Sequence, residues 1–320
     1  MMRFAALDIG TVTCRLLIAS VEGDKLVEIE RQCAITNLGI DVDKTGVLRS
    51  DAIDRVVDQV SHYVSRVKSY TDSASTIPLT AIATSASRDA KNASDLVKRL
   101  DDLGVELSVI AGQREAALSF KGASRAFPGE NLLVVDIGGG STEVIMGKGG
   151  EDPVFSHSFD IGCRRVTERF LFSDPPLVDE LDIARNWIYE TMKPLFDAAE
   201  RQGCVIDRIV AVAGTATSTV AIDKKMEVYD PARVDSTVVP HDTLERIYDE
   251  LRALPLTDRR EVVGLEPDRA SVIVAGMLIL LVILELAGKG EFTVSESDIL
   301  QGIVMDAARN FSHNDDVTEM

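Results

Sequence analysis

The chain has 320 residues, 45% of them apolar, which is enough to bury sizeable cores and indicates a globular protein of two domains. Its formal net charge of −18 argues against a nucleic-acid-binding surface, because such a surface needs an excess of Lys and Arg. The four cysteines form no Cys-x-x-Cys pair and have no neighbouring histidine, so they indicate reduced cytoplasmic thiols rather than a zinc site or a disulfide framework.

The two most apolar stretches do not indicate a membrane protein. Asp8 interrupts the apolar run after Arg3 within five residues, so we predict no signal peptide. Residues 272–284 are apolar throughout, but a stretch of about 13 residues is too short to cross a bilayer. We therefore predict a helix buried at the centre of a domain and no membrane partner.

The first predicted element is a hairpin. An apolar strand at residues 4–9 ends in Asp-Ile-Gly-Thr at residues 8–11, and a second apolar strand begins near Thr13. A loop of this composition can offer its backbone N–H groups to a phosphate. The sequence then predicts a strand at 26–35 and an amphipathic helix over 53–67, where apolar residues recur at helical spacing.

Two further strands lead to candidate functional residues. The strand predicted at 78–84 places Arg88 and Lys91 at its carboxyl end, where open α/β sheets bind ligands, although a solvated surface charge is the alternative for Arg88. The strand at 105–110 leads into a helix that begins at Gly112. Glu115 lies in its first turn, and the pattern alone favours an interaction with the helix macrodipole.

A second hairpin opens the second half of the chain. The apolar strand at 132–137 contains Asp136, then come three glycines and Ser141, and apolar alternation resumes around Glu143. Adjacent glycines allow backbone N–H groups to close around an anion. The two carboxylates suit a hard cation such as Mg²⁺, which bridges carboxylates to substrate phosphates. A hairpin with a glycine bulge is the alternative for this stretch alone.

The remaining pattern adds a third plausible anion site. A basic helix start at 162–170 precedes a long helix. Residues 208–218 predict a strand that runs into the N-terminus of a helix of small residues, which include Gly214 and Thr215. A closing helix is predicted at 299–307. The four histidines lie in unrelated contexts, and we assign them no catalytic role.

The repeated hairpin predicts two related domains, each a mixed sheet flanked by helices, with a cleft between them. The Asp-x-Gly hairpin resembles the phosphate loops of the actin, Hsp70 and sugar kinase superfamily. It is neither a Walker loop nor a Rossmann fingerprint, because no Gly-x₄-Gly-Lys-Ser/Thr occurs and a strand follows each loop.

Taken together, the motifs resemble the exopolyphosphatase and guanosine pentaphosphate phosphohydrolase family over nearly the whole chain. Seven segments occur in the family's order, at residues 8–16, 83–92, 112–116, 136–143, 162–170, 214–217 and 264–270. The resemblance implies an α/β fold of two actin-like (ribonuclease H-like) domains in the short form of the family, without an appended C-terminal domain. We expect the first domain to comprise residues 1–122 and about 300–320, and the second residues 123–299.

The resemblance also implies roles for individual residues. Glu115 matches the catalytic glutamate that orients and deprotonates the attacking water, which reverses the macrodipole interpretation. Asp136 and Glu143 match the carboxylates that hold Mg²⁺, for which Mn²⁺ is the alternative, and Asp8 is a further candidate ligand. The candidate phosphate-binding residues are Gly10, Thr11, Thr13, Arg15, Arg88, Gly138, Gly139, Gly140, Ser141, Gly214, Thr215 and Arg269.

Three departures from the family pattern bear on substrate preference and rate. The family usually has Asn where Val12 stands, Glu where Arg114 stands and Arg where Leu300 stands. All three leave the proposed base and metal ligands intact.

We therefore predict a cytoplasmic, Mg²⁺-dependent phosphohydrolase that releases terminal phosphate from inorganic polyphosphate. The acidic composition favours short chains, because a long polyanion needs a continuous basic track. The alternatives are guanosine pentaphosphate 5'-phosphohydrolase, a kinase of the same superfamily, and a catalytically weak sensor that binds polyphosphate or the alarmone. We predict no nucleic-acid partner and leave a homodimer open.

Overall fold

The computed structural model describes residues 2–23, 25–71 and 76–318. The chain divides into two compact units, of which the first comprises Met1–Gly122 with Ile299–Met320 and the second Ala123–Asp298. Each unit contains one mixed β-sheet.

The strands and helices are numbered in chain order. The strands are β1 (Met2–Ile9), β2 (Thr13–Glu22), β3 (Lys25–Ile35), β4 (Leu79–Ala83), β5 (Leu107–Val109), β6 (Asn131–Ile137), β7 (Thr142–Lys148), β8 (Phe155–Phe159), β9 (Arg208–Val212), β10 (Val238–Pro240) and β11 (Glu291–Val294). The helices are α1 (Val42–Thr45), α2 (Ser50–Ser69), α3 (Ser85–Asp89), α4 (Ala93–Asp101), α5 (Gly112–Ala123), α6 (Cys163–Phe170), α7 (Val178–Arg201), α8 (Ala213–Asp223), α9 (Pro231–Val234), α10 (His241–Ala253), α11 (Leu256–Arg259), α12 (Ile273–Leu286) and α13 (Ile299–Thr318).

The sheet of the first unit has the order β3-β2-β1-β4-β5 and is apolar on both faces. Alternate side chains of β1, such as Leu7 and Ile9, pack against α2 and α4. The intervening side chains, such as Phe4 and Ala6, pack against α13. Helices on both faces explain why β1 is a nearly continuous apolar run rather than an alternating one.

The sheet of the second unit has the order β10-β11-β9-β6-β7-β8. The apolar segment near residue 280 forms α12, which is buried almost all round and packs against α6, α7 and α10. The prediction of a buried central helix is therefore confirmed. Among the described residues, no helix combines the length and the apolar composition that crossing a membrane requires.

The two sheets share one topology. The orders β3-β2-β1-β4-β5 and β8-β7-β6-β9-β11 match, with an antiparallel hairpin followed by parallel neighbours, and the second sheet adds β10 at one edge. Both hairpins keep the same register, since Asp8 pairs with Arg15 and Asp136 with Glu143. The second half thus repeats the first down to single positions in the hairpin.

One backbone position in the second unit is strained. Ala213, where β9 passes into α8, has a φ of 62°, in the left-handed region that glycine adopts without steric cost. The residue directly before Gly214 therefore carries a Cβ that its conformation disfavours.

We predict that Ala213→Gly raises the free energy of unfolding by about 1 kcal/mol, because it removes this left-handed penalty. The matched control is Ala216→Gly, a buried position inside the same helix, which should lower the free energy of unfolding by roughly 1 kcal/mol. Urea denaturation of both variants measures the difference. Equal destabilisation by the two changes would contradict the strain at Ala213.

Candidate active site

The first of the two loops predicted to bind phosphate joins β1 to β2. Its hairpin is closed by the Gly10 N–H, which donates to the Thr13 carbonyl at 2.8 Å. The carbonyls of Thr11 and Val12 accept hydrogen bonds from backbone N–H groups of residues 36–39, at 2.8–3.0 Å. A trans peptide directs its C=O and N–H in opposite directions. The N–H groups of Val12 and Thr13 therefore point away from the segment that holds the carbonyls.

The second loop, between β6 and β7, is built in the same way. The Gly138 and Gly139 carbonyls accept from the N–H groups of Cys163 and Arg164, both at 2.9 Å, at the start of α6. The Gly140 carbonyl accepts from the Arg165 side chain at 2.8 Å.

These three carbonyls fix the direction of the N–H groups of Gly139, Gly140 and Ser141, which point away from α6. Successive N–H groups turned the same way form a concave binding site for an anion. The close approach of the loop to α6 needs glycine, since a Cβ on Gly162 would lie 2.4 Å from the carbonyl carbon of Gly139.

The charged residues on the two hairpins differ. In the first, Asp8 forms an ion pair with Arg15, with an Nη2–Oδ2 distance of 2.6 Å. In the second, the same two positions hold Asp136 and Glu143, which are 7% and 1% exposed. Two neighbouring buried carboxylates repel each other unless a cation or a proton compensates their charge. This donor pair fits a hard divalent cation better than the Asp8–Arg15 pair does.

A neighbouring hydroxyl orients one of these carboxylates. The Ser158 hydroxyl in β8 donates to Glu143 Oε1 at 2.7 Å. Ser158 lies opposite Glu143 in the register of β7 and β8. Carboxylates that bind metal ions are commonly held in one orientation by a hydrogen bond of this kind.

The third predicted anion site lies at the start of α8. A Cβ on Gly214 would lie 1.6 Å from Arg269 Nη1, so the guanidinium covers the Gly214 backbone. Thr215 is buried behind it, against Gly276. Because β6 and β9 run parallel with Asp136 opposite Val212, α8 begins beside the glycine loop. The structure therefore brings Gly214, Thr215 and Arg269 close to Asp136.

Two arginines contribute positive charge to this region. Burial raises the pKa of the Cys163 thiol, while the charges of Arg164 and Arg269 act to lower it. Both guanidinium groups are thus close to the start of α6, beside the glycine loop. Positive charge together with a helix N-terminus favours an anion at this place.

In the first unit, Glu115 is buried in the first turn of α5. Arg88 Nη1 donates to Glu115 Oε2 at 3.0 Å and also to the Ile110 carbonyl at 3.0 Å. Both residues follow parallel strands, Arg88 after β4 and Glu115 after β5, and the first loop follows β1 next to them. The carboxyl ends of three neighbouring strands therefore carry the loop, the arginine and the glutamate.

The sequence analysis missed two hydroxyls at this edge. Ser85 and Ser87 in α3 are 1% and 2% exposed, and within the described ranges their hydroxyl oxygens have no hydrogen-bond partner. The same holds for the Thr11 hydroxyl. Buried polar groups are normally hydrogen-bonded, so these three are candidates for binding a polar ligand. The signal was the Ser-Ala-Ser segment directly before Arg88, which lies within the family-like segment 83–92, although neither serine was chosen as a site residue.

The chain is similar in sequence to several known proteins. The model of the Ppx/GppA phosphatase family matches residues 17–311. Exopolyphosphatase 2 of Mycobacterium tuberculosis is 34% identical over 96% of this chain and 98% of its own length. A bifunctional 3-dehydroquinate synthase/phosphatase of Fusobacterium nucleatum is 35% identical, and the match covers 96% of this chain but only 46% of that longer protein. A guanosine-5'-triphosphate,3'-diphosphate pyrophosphatase of Vibrio parahaemolyticus is 27% identical over 98% of this chain and 60% of its own length.

Solved structures are similar over almost the whole chain. The crystal structure of an exopolyphosphatase-like protein has a TM-score of 0.88 and 30% identity, covering 97% of this chain and 98% of that one. The Ppx/GppA family member of Aquifex aeolicus has a TM-score of 0.79 and 29% identity over the same shares of the two chains.

The packing of the glycine loop on α6 yields a prediction. Gly162→Ala should lower the free energy of unfolding by about 1–3 kcal/mol, because its Cβ would press on the Gly139 and Gly140 backbone, which can yield only by moving. Gly290→Ala is the control, since a Cβ there meets no atom within 4 Å among the described residues. Chemical denaturation that gives the same midpoint for both variants would contradict the close contact.

Proposed function

We propose that this chain, which belongs to the Ppx/GppA phosphatase family, is a phosphohydrolase that releases the terminal phosphate of inorganic polyphosphate. The family resemblance and the actin-like α/β fold class predicted from the motifs are both confirmed. The substrate, the metal and the roles of individual residues are the content of the proposal.

One observation carries the proposal. The N–H groups of Gly139, Gly140 and Ser141 point away from α6, and the buried carboxylates Asp136 and Glu143 lie at the two ends of the same loop. A phosphoryl group needs both hydrogen-bond donors and a cation, because its oxygens carry the charge in the transition state. This hairpin offers donors for the phosphate and ligands for the cation within eight consecutive residues, 136–143.

The cation is proposed to be Mg²⁺. Phosphatases of this kind generally use a divalent metal ion. Asp136 and Glu143 supply the hard oxygen ligands that Mg²⁺ prefers, and the bound ion would neutralise phosphate oxygens. Asp8, which is paired with Arg15, is the less suitable of the three candidate ligands.

Glu115 is proposed as the base. Its carboxylate is buried, and the contact with Arg88 fixes one oxygen. The carboxylate can accept a proton from a water molecule and align it for in-line attack on the terminal phosphorus. Arg88 then has a second role, since the same guanidinium can bind phosphate oxygens.

Two observations bear on the choice between polyphosphate and guanosine pentaphosphate: the names of similar proteins and the net charge of this chain. The relatives named exopolyphosphatase and guanosine-5'-triphosphate,3'-diphosphate pyrophosphatase make guanosine pentaphosphate the second candidate. The net charge of −18 favours short polyphosphate chains over long ones and gives no support for a nucleic-acid partner. A cytoplasmic protein, as a monomer or a homodimer, is the setting we propose.

Phosphate release tests the function directly. Purified protein with Mg²⁺ is given polyphosphate or guanosine pentaphosphate, and inorganic phosphate is measured over time. Release from polyphosphate supports the proposal, release only from the nucleotide favours the second candidate, and release from neither supports a sensor. Gel separation of the polyphosphate products checks the length preference: long chains digested completely while others stay intact would contradict a preference for short chains.

We predict that Glu115→Gln lowers kcat by about 10²–10⁴-fold with little change in KM, because the amide cannot accept the proton from water. Glu106→Gln, at an exposed position in the same unit, should leave kcat unchanged. Steady-state phosphate release measures both variants. A Glu115→Gln variant with wild-type turnover would remove Glu115 from the mechanism.

Metal dependence gives a separate prediction. Asp136→Asn and Glu143→Gln should each raise the Mg²⁺ concentration for half-maximal activity, by roughly tenfold or more, because each loses a charged ligand. Asp242→Asn is the control: it changes an exposed carboxylate in a group with His241 and Glu245 whose ligand atoms lie within 4.8 Å. A Mg²⁺ titration that shifts for Asp242→Asn but not for the hairpin variants would move the metal site to α10.

A further inference from the structure

Glu115 can act as a base only if α5 holds it in one orientation. Arg114, Leu118 and Lys121 are spaced by four and three residues, so they lie on one face of α5. All three contact α13 through Gly302 or Asp306, which lie one helical turn apart. The face of α5 next to Glu115 is therefore the face that packs on α13.

The packing at Gly302 brings the two backbones together. A Cβ on Gly302 would lie 2.0 Å from the Leu118 carbonyl oxygen, so α13 approaches the α5 backbone directly. The Leu118 side chain is buried with Ile303 and Val304 of α13. This contact sets the distance between the helices, but a smooth apolar contact alone leaves rotation about the α5 axis weakly restricted.

Asp306 restricts that rotation. Its carboxylate accepts from Arg114 in the first turn of α5, and its other oxygen lies 3.4 Å from Lys121 Nζ near the end of the same helix. Asn310 supports the carboxylate from the next turn of α13. One partly buried carboxylate thus joins both ends of α5 to α13.

We propose that Asp306 is a positioning residue for the reaction, because with Arg114 and Lys121 it forms a clamp, the Asp306 clamp, that fixes the rotation of α5 and thereby the direction of Glu115. The inference rests on Glu115 acting as the base in the proposed function. Since the Glu115 carboxylate lies on the order of 6 Å from the helix axis, a rotation of about 15° moves it by roughly 1.5 Å. A misplacement of about 1 Å can cost up to 10²-fold in rate.

The Asp306 clamp should affect the orientation of α5 more than it affects the stability of the protein. The Arg114 side chain is half exposed, and exposed ion pairs contribute little to the free energy of folding. Loss of the clamp should therefore change turnover more than it changes the stability of the protein.

The test compares Asp306→Asn, Asp306→Glu and a control, Asp54→Ala, in the full-length protein. Asp54 forms an ion pair with Arg99, at 2.8 Å, in which both side chains are about half exposed; it joins α2 to α4 and does not involve α5. We expect Asp306→Asn to lower kcat about tenfold with KM changed less than twofold. Asp306→Glu, which keeps the charge, should restore most of the turnover, and Asp54→Ala should match the wild type.

Hydrogen–deuterium exchange of the α5 amides, measured without substrate, separates this inference from the proposed function. Asp306→Asn should speed exchange in α5, and Asp54→Ala should not. If the wild type releases no phosphate, the proposed function fails. The hydrogen–deuterium exchange of the α5 amides then still tests whether the Asp306 clamp restrains α5. Unchanged exchange in Asp306→Asn overturns the clamp, and faster exchange with an unchanged kcat overturns its role in positioning Glu115.

Discussion

The orientation of the peptide groups in the two hairpin loops is the constraint on which the candidate site depends. A planar peptide that gives its carbonyl to one neighbour must turn its N–H to the opposite side. Residues 36–39 take the carbonyls of the first loop, and the start of α6 takes those of the second. The side of each loop that we propose to bind phosphate is thus opposite to the side that packs on the protein. In the second loop this packing is so close that Gly162 leaves no room for a side chain.

The two hairpins have the same backbone register but carry differently charged side chains. Register position by register position, Asp8 corresponds to Asp136 and Arg15 to Glu143. The first hairpin compensates its carboxylate internally, whereas the second concentrates two carboxylates under burial. At the second of these positions a cation in the first hairpin corresponds to an anion in the second, and the resulting pair of carboxylates is the pair that we propose as metal ligands.

The sequence was sufficient to predict features that depend on a short segment of the chain, but it did not predict contacts between residues that are far apart in sequence. Both hairpins, the buried α12 and the repeated sheet could be predicted, because each depends on periodicity or on glycines within a short segment. The strands β8, β10 and β11 were missed, since they have three to five residues and β8 alternates with serine and histidine. Contacts such as that between Arg114 and Asp306, 192 residues apart, leave no local pattern to detect.

For Glu115 as the proposed base, the pairing with Arg88 favours alignment of the attacking water over strong basicity. A base that must remove a proton early in the reaction gains from a carboxylate free of cations, but here one oxygen is held in a charge-assisted hydrogen bond. Phosphoryl transfer passes through a loose transition state that needs little proton removal at the start. In such a reaction, a carboxylate that is held in the correct orientation contributes more to the rate than a more basic carboxylate does. The ion pair with Arg88 fixes the direction of the Glu115 carboxylate.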